Sequence, residues 1–219
     1  VYSIKTAQRV WIIDTFCGTE SMEPLLADLP AEREQKVIVV NTHFHWDHVW
    51  GNCAFDGEVI SHWRCRTRLE ENWERDLEKH GEYRRGNTEK RLPTVTFAER
   101  LAFPDEGIEL FYSPGHTADS ISLFDHEDGI LYVGDNLEKP LIYVEDPDLD
   151  TYLKTLAEYK KYRPLWLMAG HSSRLTLSEV DQTIHYLRQL QAGDKVVLAT
   201  EEERLIHAQN SKVIKGEMV

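Results

Sequence analysis

The run Val37-Ile38-Val39-Val40 most constrains this chain, because it leads directly into Asn41-Thr42-His43-Phe44-His45-Trp46-Asp47-His48. Four consecutive β-branched residues predict a strand over Lys36 to Asn41 that is buried on both faces, as in a parallel sheet covered by helices. Three histidines and an aspartate within the six residues His43 to His48 form a density that a polar loop does not need. In an extended stretch residues i and i+2 point the same way, so His43 and His45 can face one ion. A turn then brings Asp47 and His48 toward a second. Imidazole nitrogen and carboxylate oxygen suit borderline divalent metals such as zinc, which keep an open position for water.

Around this run the chain alternates strands and helices after a β-rich start. Val1 to Ile4 and Val10 to Asp14 read as an antiparallel pair about a polar turn. Met22 to Leu29 predicts a short helix. Within Ser61 to Glu82, Leu69, Trp73 and Leu77 recur every four residues among charges, a helix with one apolar stripe. Val95 to Phe97, Arg100 to Phe103, Ile108 to Tyr112, Ile121 to Phe124 and Ile130 to Val133 read as five short strands, enough for a second sheet. Asp148 to Lys161 predicts a helix closed by Pro164, then a strand over Leu165 to Met168, then a helix over Ser178 to Leu190. With no repeat and no low-complexity linker, the chain reads as one domain over 1–219, with a charged helical insert at about 61–91.

Three more metal-capable residues sit at strand ends, each preceded by glycine: His116 in Ser113-Pro114-Gly115-His116, Asp135 in Val133-Gly134-Asp135, and His171 in Met168-Ala169-Gly170-His171. A glycine there lets the backbone turn sharply and project the next side chain into a shared site. Singly each is a weak signal. Together, in this order after the cluster, they resemble the metallo-β-lactamase-fold hydrolases from about Val10 to His171. The resemblance implies an α/β fold, an αββα sandwich of two mixed β-sheets flanked by helices. It also implies two divalent metal ions, zinc first with iron or manganese as alternatives. His43, His45 and His116 would hold the first ion, Asp47, His48 and His171 the second, and Asp135 would bridge them.

Within the family, His48 and Gly134-Asp135 stand where the common lactamases carry Arg and Cys, which argues against a β-lactamase. His43 to Asn52 is most similar to glyoxalase II and its hydrolytic relatives, although Trp50 interrupts their Gly-Gly pair. The implied activity is hydrolysis of an ester-like bond, thioester or lactone first, by a metal-bridging hydroxide. By the same resemblance Asp47 and Asp135 would be the catalytic carboxylates, Asp47 orienting the hydroxide or taking its proton. The alternative is an iron-dependent redox member of the superfamily, of the persulfide dioxygenase type.

Composition bears on partners. The net charge of −13 disfavours nucleic acid. No apolar stretch reaches membrane-helix length, and Val1 to Thr15 lacks the order of a signal peptide. Val1 in place of Met signals processing or trimming. Cys17, Cys53 and Cys65 lack motif spacing, which points to a reducing cytoplasmic setting. The expected partner is a small molecule, and it can be anionic: residues 61–91 hold nine Lys plus Arg against seven Asp plus Glu. Arg64, Arg66, Arg84 or Arg85 would receive the anion, unless the segment is simply a solvated helix face. Asp14, Thr42 and Thr117 can orient ligands, with a strand-end cap as the other role for Asp14 and a local turn for Thr117 and Ser120. His62, His80, His126, His185 and His207 read as surface or partly buried structural residues. Trp46 and Trp50 either line the cleft or pack.

Overall fold

The computed structural model describes residues 1–29 and 35–217. Two compact units divide the chain, Val1–Glu106 and Gly107–Val219.

In the first unit, β1 (Tyr2–Lys5) and β2 (Arg9–Ile13) form the expected antiparallel pair. A 3-10 turn leads into α1 (Glu23–Asp28), and β3 (Lys36–Val40) then pairs in parallel with β2. Both faces of β3 are covered: Val37, Ile38, Val39 and Val40 are all buried. Val10, Ile12, Val37, Val39 and Val59 share one apolar cluster with Met22 and Phe55, as the period of two requires. The one-turn helix α2 (Trp46–Val49) carries Asp47 and His48. β4 (Glu58–His62) follows, then α3 (Trp63–His80), which buries Cys65, Leu69 and Trp73.

The chain then returns as β5 (Val95–Phe97), parallel to β4. The expectation that Val95 to Phe97 starts the second sheet is therefore corrected: the first sheet runs β1-β2-β3-β4-β5. The reason is the helix between. Parallel neighbours need a long crossover, and α3 supplies one, whereas the strands that follow are joined by short turns. β6 (Arg100–Phe103) is the last strand of this unit.

In the second unit β7 (Ile108–Tyr112), β8 (Ile121–Asp125) and β9 (Ile130–Gly134) pair antiparallel in sequence. β10 (Trp166–Ala169) is added parallel to β9 by way of α4 (Leu149–Tyr162). Asp148 caps α4 by accepting from the Thr151 backbone N–H at 3.0 Å, and Arg163 ends it in the left-handed conformation just before Pro164. α5 (Leu177–Ala192) opens on a capping box between Thr176 and Glu179. A further helix, α6 (Glu201–Ile214), was not expected from its charge-rich sequence, yet Thr200 and Glu203 form the same box at its start. The strands and helices of this unit bury Phe111, Leu131, Val133, Tyr152, Leu156 and Leu187 together. Among the described residues no helix is long and apolar enough to cross a membrane.

His62 corrects another expectation. It is only 2% exposed. Its Nε2–H donates to the Ala98 carbonyl at 3.1 Å, while Nδ1 accepts the Arg64 backbone N–H at 3.4 Å and caps α3. Burial is the main cause that pushes its pKa down from 6.5 to about 4. The folded chain therefore binds fewer protons than the unfolded chain between those values, and stability is lost as pH falls through that window. His62→Asn keeps a capping acceptor but cannot titrate. Between pH 7 and 5 the parent is expected to lose on the order of 1 kcal/mol more stability than this variant. Urea unfolding at the two pH values measures the difference, and equal losses would reject it.

Candidate metal centre

In the first unit the site is built where β2 and β3 end side by side, Ile13 opposite Val40. Asp14 follows β2 at φ 58°, a left-handed conformation that aspartate tolerates better than most residues. That turn, fixed by the bond from the Asp14 N–H to the Val40 carbonyl at 2.9 Å, lays its carboxylate against the segment after β3. Oδ1 accepts the Thr42 backbone N–H at 2.8 Å. Oδ2 accepts the Thr42 hydroxyl at 2.8 Å and His48 Nδ1–H at 2.8 Å. Asp14 thus orients a ligand candidate, and the strand-end cap is not its main role.

With its proton committed to Asp14, the Thr42 oxygen is left to accept from His43 Nδ1, 3.1 Å away. His43 Nε2 then presents a lone pair, and it faces His45 Nδ1 at 2.9 Å. His43 and His45 do converge, although from a bend and not from the extended strand that the sequence suggested. His48, on α2, places its ring centroid 4.2 Å from that of His43, the two planes tilted by 52°. Its Nε2 lies 3.8 Å from Asp47 Oδ2. His43 and His48 are buried; Asp47 keeps 20% of its side chain exposed. The residue between the two histidines, Phe44, turns away into a cluster with Val49, Trp50, Cys65, Leu69 and Trp73. Trp50 therefore packs, while Trp46 stacks on His80 and Tyr83 at 5.0 and 5.1 Å.

In the second unit the site is built at the ends of β7, β9 and β10. Gly134 at φ 54° turns the chain after β9, and its carbonyl accepts the Gly170 N–H at 2.8 Å, so Asp135 and His171 leave adjacent strands together. Asp135 Oδ2 lies 3.4 Å from His171 Nε2 and 4.0 Å from His116 Nε2. His116 Nδ1–H donates to the Tyr143 carbonyl at 2.8 Å, which leaves Nε2 as the lone-pair nitrogen. Asp135 and His116 are buried, whereas His171 has 37% of its side chain exposed.

Sequence reasoning missed Asn136. Buried completely, it accepts the His116 backbone N–H at 2.8 Å and donates to the Ser113 carbonyl and the Tyr159 hydroxyl, each at 2.7 Å. Gly115 is required beside it, because a Cβ there would lie 2.4 Å from the Tyr152 ring. Thr117 bonds Ser120 at 2.8 Å and serves a local turn, so its ligand-orienting role is withdrawn. Of the four arginines, Arg66 pairs with Glu70 at 3.1 Å and Arg64 lies over Trp63. Arg84 and Arg85 are exposed on the loop whose Arg85 N–H bonds the Cys17 carbonyl at 3.1 Å.

The imidazole and carboxylate groups gathered at the strand ends of this mixed α/β fold could hold metal ions. The chain belongs to the metallo-β-lactamase superfamily, which residues 1–181 match. The hydroxyacylglutathione hydrolase of Thermosynechococcus vestitus is 29% identical over 119 residues, covering 52% of this chain and 40% of that protein. A β-lactamase-like protein 2 homolog of Drosophila melanogaster is 27% identical over 184 residues, covering 78% and 58%. The chain spans less than two thirds of the length of these relatives. Among solved structures, a metallo-β-lactamase from Pontibacter korlensis aligns with TM-score 0.65 and 23% identity over 85% of each chain. An archaeal superfamily protein from Sulfolobus tokodaii aligns with TM-score 0.65 and 17% identity over 98% of this chain and 91% of that one. Two mixed sheets with flanking helices are what these structures share with it.

Proposed function

We propose that the chain is a metal-dependent hydrolase of an ester-like bond, a thioester or lactone first, in a small molecule. The carrying observation is the Asp14 network, which fixes the tautomers of His43 and His48 so that each holds out Nε2. Metal-bound histidines are held in this way. The donors fit the group: imidazole and carboxylate suit divalent zinc, iron or manganese, and nitrogens 2.9 Å apart suit a shared ion at about 2.0–2.1 Å from each. In this reading His43, His45 and His116 would hold one ion, Asp47, His48 and His171 the other, and Asp135 would serve both.

When bound, such ions acidify a water and polarise the electrophile. Asp47, partly exposed, takes the proton of the attacking water on its carboxylate. Burial, with the Asp47 charge, pushes the Cys17 thiol up to about 11, which disfavours it as a nucleophile. Burial likewise raises Cys53. Arg84 and Arg85 suit an anionic group on the substrate, and the similarity to a hydroxyacylglutathione hydrolase supports an acyl thioester. Free thiols at all three cysteines suit a reducing cytoplasmic setting.

Elemental analysis of protein made without added metal, followed by thioester, lactone, phosphodiester and β-lactam substrates with and without chelator, tests the proposal. About two ions per chain and chelator-sensitive thioester or lactone hydrolysis are expected. Full activity after chelation, or with fewer than two equivalents, rejects the two-metal reading.

A further inference from the structure

Residues 137–148 carry no regular hydrogen-bonded structure, yet they supply the carbonyl that fixes the His116 tautomer. Something else must hold Tyr143 in place. Ile142 and Val144 are buried and Tyr143 between them is partly exposed, the alternation of an extended segment. In an extended chain the N–H and C=O groups of alternate residues point to one edge and those of the residue between point to the other. Asn210 occupies the first edge. Its Oδ1 accepts the Val144 N–H at 2.9 Å, and its Nδ2 donates to the Ile142 carbonyl at 2.8 Å, as a neighbouring strand would. The Tyr143 carbonyl faces the opposite edge and takes the His116 Nδ1–H at 2.8 Å. The Glu145 N–H bonds back to the His116 carbonyl at 3.2 Å, closing the arrangement.

Asn210 is itself fully used. It is completely buried, and its remaining amide hydrogen goes to the Tyr186 hydroxyl at 2.9 Å. It lies on α6, beyond the span that matches the superfamily. We infer that Asn210 is a positioning residue for His116: α6 grips the 142–144 segment from behind, and that grip sets which ring nitrogen of His116 is offered to metal. The metal part of this statement rests on the ligand role proposed for His116; the tautomer part does not.

The test uses the full, metal-free chain. Asn210→Leu keeps the side-chain size and removes both backbone bonds, whereas Tyr186→Phe removes only the third partner and serves as control. Long-range proton–nitrogen correlation spectra of the nitrogen-15-labelled protein report which nitrogen of His116 carries the proton. Competition with a chromophoric chelator reports Zn(II) affinity. Asn210→Leu is expected to lose the single Nδ1–H state and to bind Zn(II) about tenfold or more weakly, with Tyr186→Phe unchanged in both.

A folded Asn210→Leu chain that keeps the Nδ1–H form and the parent affinity overturns the inference, as does a Tyr186→Phe chain that loses as much. Should the leucine variant not fold, Asn210→Asp, which keeps the acceptor for Val144 and loses the donor to Ile142, is read by the same two measurements; parent values there also overturn it. His116→Ala separates the two levels. Unaltered Zn(II) affinity in that variant removes the ligand role, while the tautomer result still decides whether Asn210 positions the ring.

Discussion

Asp14→Asn is expected to weaken Zn(II) binding about 10–100-fold while leaving the fold intact. The backbone tolerates the change, because asparagine accepts the left-handed φ of 58° as readily as aspartate. The side chains tell a different story. Three donors converge on the two carboxylate oxygens: the Thr42 N–H, the Thr42 hydroxyl and His48 Nδ1–H. An amide offers one oxygen and puts an NH2 where the second stood. If the oxygen stays with the Thr42 N–H, the NH2 meets the Thr42 hydroxyl and His48 Nδ1. The hydroxyl must then turn to accept, which frees its proton to be donated to His43 Nδ1 and favours the tautomer that protonates Nε2 there, and His48 is driven toward the same tautomer. One substitution thus misdirects two candidate ligands at once. Chelator competition on the metal-free protein measures the affinity, and circular dichroism on the same sample checks the fold. Parent affinity in a folded variant would return Asp14 to the role of a strand-end cap.

The geometry behind that expectation explains what the sequence could disclose. Val37 to Val40 was legible as a strand because burial on both faces writes itself into consecutive residues. His43 to His48 was legible because a cluster of candidate ligands six residues long is local. Asp14 could be named but not assigned: its partners Thr42 and His48 are 28 and 34 residues away, and they meet it only because β2 and β3 pair in parallel. The β5 strand was found but given to the wrong sheet, since three residues carry no record of their neighbour; the crossover through α3 decides that. The buried amides were illegible. Asn210 bonds residues 66 and 68 positions away, and nothing in its own surroundings on a charged helix marks it. For α6 as a whole the signal was present in Thr200 and Glu203, the same pattern that opens α5, but it stood among charges with a sparse apolar stripe.

The same reasoning gives Asn136→Leu the largest expected loss of stability. Leucine nearly conserves volume, so no cavity term arises; what changes is that polar groups buried with Asn136 lose their partners. The His116 N–H and the Ser113 carbonyl lose the bonds at 2.8 and 2.7 Å that the amide provided. Tyr159 loses one bond but keeps its hydroxyl on Ser122 at 2.7 Å. Stranding a buried donor or acceptor costs about 1–3 kcal/mol, so two stranded groups and one weakened hydroxyl give roughly 3–6 kcal/mol. For a chain of this size that is a fall in melting temperature of roughly 6–24 °C, which calorimetry reads directly. Tyr159→Phe separates the contributions, because it removes the phenol and leaves Asn136 on His116 and Ser113. Its expected loss is roughly 1–2 kcal/mol. Equal losses in the two variants would mean that the phenol, and not the amide, carries the network. A larger loss in Asn136→Leu, accompanied by weaker Zn(II) binding, would tie the strength of this core to the aim of His116: the amide that stabilises the unit also holds the backbone from which that ligand candidate projects.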